Sequence, residues 1–296
     1  MKSTSPVTHR SYLSLNAPAK INWFLRITGK RADGYHNIVS LMQCISLSDQ
    51  LTIEHADTIA VEDDLNIPLR DNLIYKAASF LKGYTSYPSG ARITLKKNIP
   101  VSAGVGGGSS DAATTLAGLN TFWDLHLSKE ELSSIGARIG SDVPFFLNAP
   151  SALVEGRGEK TTPVSISAQS ILLLVNPDVP ISTAWAYTYY DKLHEAQLTK
   201  KPIDIKLFCQ ALNRQDFTAL GKILRNDLEE VVTERYPAVR EIRNKLLQTG
   251  AVISAMSGSG PTVYGVFRSK AAARRAAKLM QPYSCWVTET LISIKS

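Results

Sequence analysis

Pro100-Val101-Ser102-Ala103-Gly104-Val105-Gly106-Gly107-Gly108-Ser109-Ser110-Asp111-Ala112-Ala113 is the stretch on which the reading of this chain turns. Four glycines stand between positions 104 and 108, and glycine reaches backbone conformations that a Cβ closes to other residues. Such a backbone can converge several N–H groups on one anion, as a nest does. Ser109 and Ser110 fall where a helix rich in Ala, Thr and Leu begins, over 109–119. The unpaired amides and positive dipole end of a helix start add to an anion site. Phosphate binding is the reading favoured over a flexible linker, which has no reason to run straight into a helix. The stretch lacks the Gly-Lys-Ser/Thr of a Walker A loop. It also departs from G-x-G-x-x-G, with serine in place of the last glycine and only Asp124 loosely near the expected acidic position.

Outward from the loop, apolar alternation predicts strands at Tyr12–Leu15, Ala19–Ile27, Leu51–His55 and Arg92–Leu95. Helical spacing of Leu73, Ile74, Ala77, Ala78 and Leu81 predicts a helix over 71–81, with Asp71 as N-cap and Gly83 as stop. Ser128 and Glu131 form a capping box that opens a helix to Ile139, ended by Gly140, and Asp142-Val143-Pro144 then turns the chain. Beyond residue 161, helices are predicted over 205–212, 217–231, 238–247 and 271–280. Strands are predicted over 171–175, 251–254, 262–267 and 285–292. Strands and helices mix without a repeated βαβ period, which predicts an α+β fold in two lobes, 1–160 and 161–296.

The 296 residues are 44% hydrophobic and 20% charged, the composition of a soluble globular protein large enough to need no staple. A net charge of +7 raises the question of a polyanionic partner, yet the basic residues occur in no run longer than pairs such as Lys96-Lys97, Lys200-Lys201 and Arg274-Arg275. Three distant cysteines, Cys44, Cys209 and Cys285, fit neither a disulfide framework nor a CxxC metal site, and imply a reducing compartment. The five histidines, His9, His36, His55, His126 and His194, lack ligand spacing. The first sixteen residues carry no apolar signal core, and the run 171–175 is too short to span a bilayer, so a cytoplasmic location is expected.

Three further stretches join the loop: Pro18-Ala19-Lys20-Ile21-Asn22 with Gly29-Lys30-Arg31-Ala32-Asp33-Gly34-Tyr35-His36, then Ile139-Gly140-Ser141-Asp142-Val143-Pro144-Phe145-Phe146, then Ser257-Gly258-Ser259-Gly260-Pro261. In this order, from about residue 17 to 267, the four together resemble the signatures of the GHMP kinase superfamily. Within it they are most similar to the branch whose acceptor is a cytidine-diphosphate-linked methylerythritol. The resemblance implies a ribosomal protein S5 domain 2-like N-terminal lobe and a ferredoxin-like C-terminal lobe. It implies ATP and Mg2+ as cofactors, ATP lying on Pro100, Val101, Ser102, Ala103, Gly104, Val105, Gly106, Gly107, Gly108, Ser109 and Ser110. Asp142 takes the place of the catalytic base and Lys20 that of its partner, a cation that stabilises the transferring phosphoryl group.

The acceptor would be held by Asn22, Tyr35 and His36, Thr183 and Tyr187, and Ser257, Gly258 and Ser259. Tyr35 offers a face for stacking and His36 an imidazole for the polar edge of cytosine. A register slip of two would put Trp185 in the place of Tyr187. Asp111 reads as a helix-start carboxylate rather than a catalytic group. The superfamily's magnesium glutamate has no evident counterpart near the loop, so the metal ligands stay open. The implied partners are ATP and the small-molecule acceptor, without nucleic acid or membrane, and a homodimer is left open. The rival readings are a homoserine or mevalonate type of GHMP kinase, separated by Gly34-Tyr35-His36, and an RNA-binding protein, which would leave Lys20, Asp142 and the loop without a role.

Overall fold

In the computed structural model the described residues are 11–65, 67–148, 150–194 and 203–293; His9 and the Lys200-Lys201 pair lie outside them. The first sheet is organised by two long strands, β1 (Tyr12–Lys30) and β2 (His36–Ala56), antiparallel along nearly their whole length. The expected strands 12–15 and 19–27 are thus one strand. Pro18 is accommodated because the register shifts between Pro18 and Lys20, a bulge that spares the ladder a missing donor. The other edge of β2 is shared: residues 50–56 pair with β4 (Gly90–Lys96), and residues 38–43 with β5 (Ser151–Gly156). β3 (Ile59–Glu62) flanks β4 in parallel and β6 (Lys160–Pro163) flanks β5.

Four helices cover one face of this sheet: α1 (Leu73–Thr85), α2 (Gly107–Phe122), α3 (Lys129–Ile139) and α4 (Val143–Asn148). The capping box of α3 forms as expected. For α1 the cap is Asn72, not Asp71. The Asn72 carboxamide oxygen accepts from the Ile74 N–H at 2.9 Å while its NH2 donates to Asp63, so Asn72 is held from both sides. The helix also runs through Gly83, whose cost of about 1 kcal/mol is small beside the burial of Ile74, Ala77, Ala78 and Leu81.

The second sheet is antiparallel, in the order β10 (Ser284–Glu289), β7 (Ile171–Asn176), β9 (Val263–Phe267), β8 (Ile253–Met256). Its central strand β7 is apolar without alternation because both faces are covered. Leu172 and Leu174 pack toward the first sheet, with Ile21 and Phe24. Leu173 and Val175 pack toward the helices outside, with Val232 and Ile242. Those helices are α5 (Thr183–Leu193), α8 (Asp227–Arg235), α9 (Pro237–Gln248) and α10 (Lys270–Leu279), while α6 (Ile205–Asn213) and α7 (Phe217–Ile223) pack with Leu172 and Leu174. The single helix expected over 217–231 is two. At the break the Arg225 carbonyl accepts from Leu25 N–H at 2.9 Å, and Asn226 caps α8 through Leu228 N–H at 3.0 Å. The chain is therefore straightened there to meet β1. The fold is α+β, and a cleft runs between the two sheets' helices and loops.

Candidate active site

On β1, Ala19 and Ile21 turn into the core between the sheets, which leaves Lys20 and Asn22 together on the opposite face. Lys20 Nζ donates to Asn22 Oδ1 at 2.6 Å and to the Gly104 carbonyl at 3.2 Å, and lies 3.6 Å from Asp142 Oδ2. Asn22 is itself fixed, its Nδ2 donating to Ser40 Oγ at 2.8 Å. It orients Lys20 from within, since the whole residue is buried. Burial of Lys20 pulls its ammonium below the ordinary lysine range, and the Asp142 carboxylate opposes that pull by charge and hydrogen bonding. Asp142 sits in the turn between α3 and α4, with its side chain 29% exposed toward the cleft.

The glycine loop is packed against this pair from above. Gly106 has φ +74°, and a Cβ there would stand 2.9 Å from the Phe146 ring and 3.0 Å from Lys20 Cγ. As the residue capping α2 it brings no side chain to the first amides of the helix. Gly104 has φ +74° as well, and a Cβ there would meet the Ser257 and Gly260 carbonyl oxygens at 2.5 and 2.7 Å. The 257–260 turn between β8 and β9 thus lies directly on the loop. Ser257 Oγ donates to the Gly104 carbonyl at 3.0 Å, and Asn226 Nδ2 donates to the Gly258 carbonyl at 2.8 Å. Ser257 is wholly buried and fastens the two loops together, whereas Gly258 and Ser259 border the cleft.

Beneath the loop, Lys97 bridges Asp49 and Asp111, the latter at 2.8 Å. Asp49 also accepts from the Asn98 and Ile99 N–H groups, so the buried triad ties the chain leading into the loop to the helix leaving it. Asp111 lies beyond the first turn of α2 and serves this clasp rather than the helix dipole. Burial, with the charge of Asp49, pushes its carboxyl up to about 7 against the pull of Lys97.

Two cavities share the loop as a wall. The larger, about 930 Å³, contains Lys20, Asn22 and Asp142 at one end and Tyr35, His36 and Tyr187 at the other. The smaller, about 270 Å³, is enclosed by Leu65, Ile67 and Leu73 and by loop residues Pro100 to Gly104, Gly106 to Ser109. Ser102, Gly104 and Gly106 line both. Val105 and Ser110 are buried behind the wall.

At the far end, Gly34 at φ +84° makes the turn that leaves Tyr35 55% exposed, with the Arg157 guanidinium 5.0 Å from its ring centroid. His36 is buried at the start of β2. Tyr187 stacks on its ring at 5.0 Å and 20°, and Thr183 Oγ1 is 2.8 Å from Ser259 Oγ. Trp185 packs instead on Tyr189 and Tyr236, so the register is the one that gives Tyr187 to the cleft. Three residues escaped the sequence reading: Asp191, Lys30 and Arg157, all of which line the large cavity. Asp191 follows Tyr187 by four, one helical turn on the same face. Reading the aromatic cluster 185–190 as a helix rather than as core packing would have found it. Arg157, in the loop between β5 and β6, left no signal.

Profiles of known families match this chain twice: the GHMP kinases N terminal domain at residues 72–149 and the GHMP kinases C terminal domain at residues 208–281. The chain is similar to the 4-diphosphocytidyl-2-C-methyl-D-erythritol kinase of Thermodesulfovibrio yellowstonii, 45% identical over 280 residues that cover 95% of this chain and 98% of that one. The enzyme of the same name from Geobacter metallireducens is 41% identical, covering 93% and 96%. A crystal structure of 4-(cytidine 5'-diphospho)-2C-methyl-D-erythritol kinase superposes with a TM-score of 0.82 at 29% identity, over 94% of this chain and 99% of that one. The homoserine kinase of Cytophaga hutchinsonii, with a TM-score of 0.71 at 16% identity over 98% and 97%, shares the fold.

Proposed function

The chain belongs to the GHMP kinases, among the 4-diphosphocytidyl-2-C-methyl-D-erythritol kinases, and from that premise we propose how its cleft carries out the reaction. It transfers the γ-phosphoryl group of ATP to the 2-hydroxyl of 4-diphosphocytidyl-2-C-methyl-D-erythritol, a step of non-mevalonate isoprenoid precursor synthesis. The observation that carries the reading of the site is one continuous cavity, which joins the Lys20–Asp142 pair to the Tyr35–His36–Tyr187 cluster and borders the glycine loop.

ATP lies in the smaller cavity with its phosphates on the loop amides and the N-terminus of α2. Asp142 accepts the proton of the attacking hydroxyl. Lys20, held by Asn22 and Gly104, meets the charge on the transferring group. Tyr35 stacks on the cytosine and His36 meets its polar edge, with Tyr187 behind His36. Thr183 and Ser259 close over the acceptor, while Asn22 and Ser257 act by holding Lys20 and the loops.

Mg2+ fits this arrangement as an ion that arrives on the ATP phosphates and screens their charge. Among the described residues no group of three or more His, Cys, Asp or Glu gathers as a cage. An oxygen donor is offered by Ser109, whose half-buried hydroxyl lines the loop cavity. The change of sheet between Pro163 and Ile171 supports a division of the chain into two domains near residue 160. Among the described residues no helix is long and apolar enough to cross a membrane.

A phosphotransfer assay with the cytidine-diphosphate acceptor, homoserine and mevalonate in parallel tests the reading. Turnover of the first alone is expected, and its absence would sink the assignment.

A further inference from the structure

His36 Nε2 lies 2.6 Å from Asp191 Oδ1, and the other carboxylate oxygen, Oδ2, accepts from Lys30 Nζ at 2.7 Å. Burial alone would raise the Asp191 carboxyl. The hydrogen bonds of Lys30 and His36, with the charge of Lys30, outweigh it and hold the group below the ordinary carboxylate range. An ionised carboxylate can only accept, so the ring nitrogen facing it must carry a proton. In a neutral imidazole the other nitrogen, Nδ1, is then an acceptor. No described residue occupies Nδ1, and the ring is pinned from a third side by Tyr187, stacked at 5.0 Å. His36 and Asp191 both line the large cavity.

We propose that Asp191 is a positioning residue for base recognition: it keeps the His36 proton on Nε2, so that Nδ1 accepts from an exocyclic amine at position 4 of a pyrimidine. The inference rests on the reading of this end of the cleft as the nucleobase site. Cytosine carries a donor at that position and uracil a carbonyl acceptor. The fixed tautomer would therefore bind the one and face the other lone pair to lone pair. Discrimination then comes from a residue that need not touch the base, 155 positions away from the ring that does. Lys30 takes part only by completing the carboxylate's contacts.

The test measures dissociation constants of CDP and UDP by calorimetry on the full-length wild type, Asp191→Ala, Asp191→Glu and Lys30→Met. Long-range ¹⁵N–¹H spectra of His36 accompany it. The wild type should prefer CDP and show the Nε2–H tautomer. In Asp191→Ala both tautomers become available, and the CDP preference should fall about tenfold, the worth of one unmade buried hydrogen bond. Asp191→Glu should restore part of it and Lys30→Met should keep most of it, with ATP affinity the same throughout. An Nδ1–H tautomer in the wild type, or an undiminished CDP preference in a folded Asp191→Ala, would overturn the inference alone. A wild type that binds neither nucleotide would remove the nucleobase reading on which the inference stands.

Discussion

At the glycine loop the cleft presents backbone, and at its far end it presents side chains. The loop is a contiguous segment, 100–110, and a Cβ at its Gly104 would run into two backbone carbonyl oxygens. The far end is assembled from β1, β2, the 157–158 turn and α5, with Tyr35, His36, Arg157, Tyr187 and Asp191 brought together from distant parts of the chain. The difference suits the two ends of the proposed ligands. Phosphate oxygens accept from any N–H that points at them, so conformation is what must be specified there. A nucleobase is recognised by the sequence of donors and acceptors on its edge, so chemistry must be specified, and only side chains supply it.

That contrast can be broken at several points. Where the two regions meet, Asp142→Asn should lower kcat by about 10²- to 10⁴-fold, the usual share of a general base, while nucleotide titration shows ATP binding retained. Wild-type turnover would move the base elsewhere. At the loop itself, Gly104→Ala should cost about 1–3 kcal/mol in chemical denaturation and weaken ATP binding. The added Cβ is directed at two carbonyl oxygens that belong to backbone and cannot swing aside. An unperturbed midpoint would show that the loop tolerates chemistry as well as shape. At the far end, Tyr35→Ala should raise KM for the cytidine acceptor about tenfold through lost stacking and leave KM for ATP unchanged. Equal loss for both substrates would mean the two regions are not separable.

The smallest effect is expected in the pH profile. Lys20 titrates below the ordinary lysine value of 10.5 because it is buried. Its cationic form therefore gives way to the neutral amine as pH rises through a range where an exposed lysine is still charged. The rate of phosphoryl transfer should accordingly fall on the alkaline side before 10.5, and Lys20→Arg, which stays charged, should lose that limb even if its overall rate is low. An alkaline limb unchanged in Lys20→Arg would assign it to another group.

Much of the loop half was legible because its information is local. Glycine spacing, the serines at a helix start and the Ser128–Glu131 box each act within a few residues, and the structure bears out the helices they announce. Lys20 and Asn22 share one face because they stand two residues apart on a strand the sequence predicts, β1. The places where the reading missed share a different cause. The break at 224–226 exists because Asn226 and Arg225 are engaged by the 256–258 segment and β1. Asn72 displaces Asp71 as cap because Asp63 holds it. Asp111 turns from helix-start charge into a clasp because Lys97 and Asp49 lie beneath it. In each, a contact distant in sequence overrode a sound local preference.

By itself the sequence determined the glycine loop with the helix it opens, the mixed α+β character, and the residue types able to transfer a phosphoryl group, since backbone conformation and helix starts depend on neighbours along the chain. The tertiary structure decided that Ser257 fastens loops while Tyr187, not Trp185, reaches the cleft. It also decided that Asp191 and Lys30 complete the surroundings of His36. Hydrogen bonds and ring stacking act over a few ångströms, and only folding brings residues so far apart in the chain within that range.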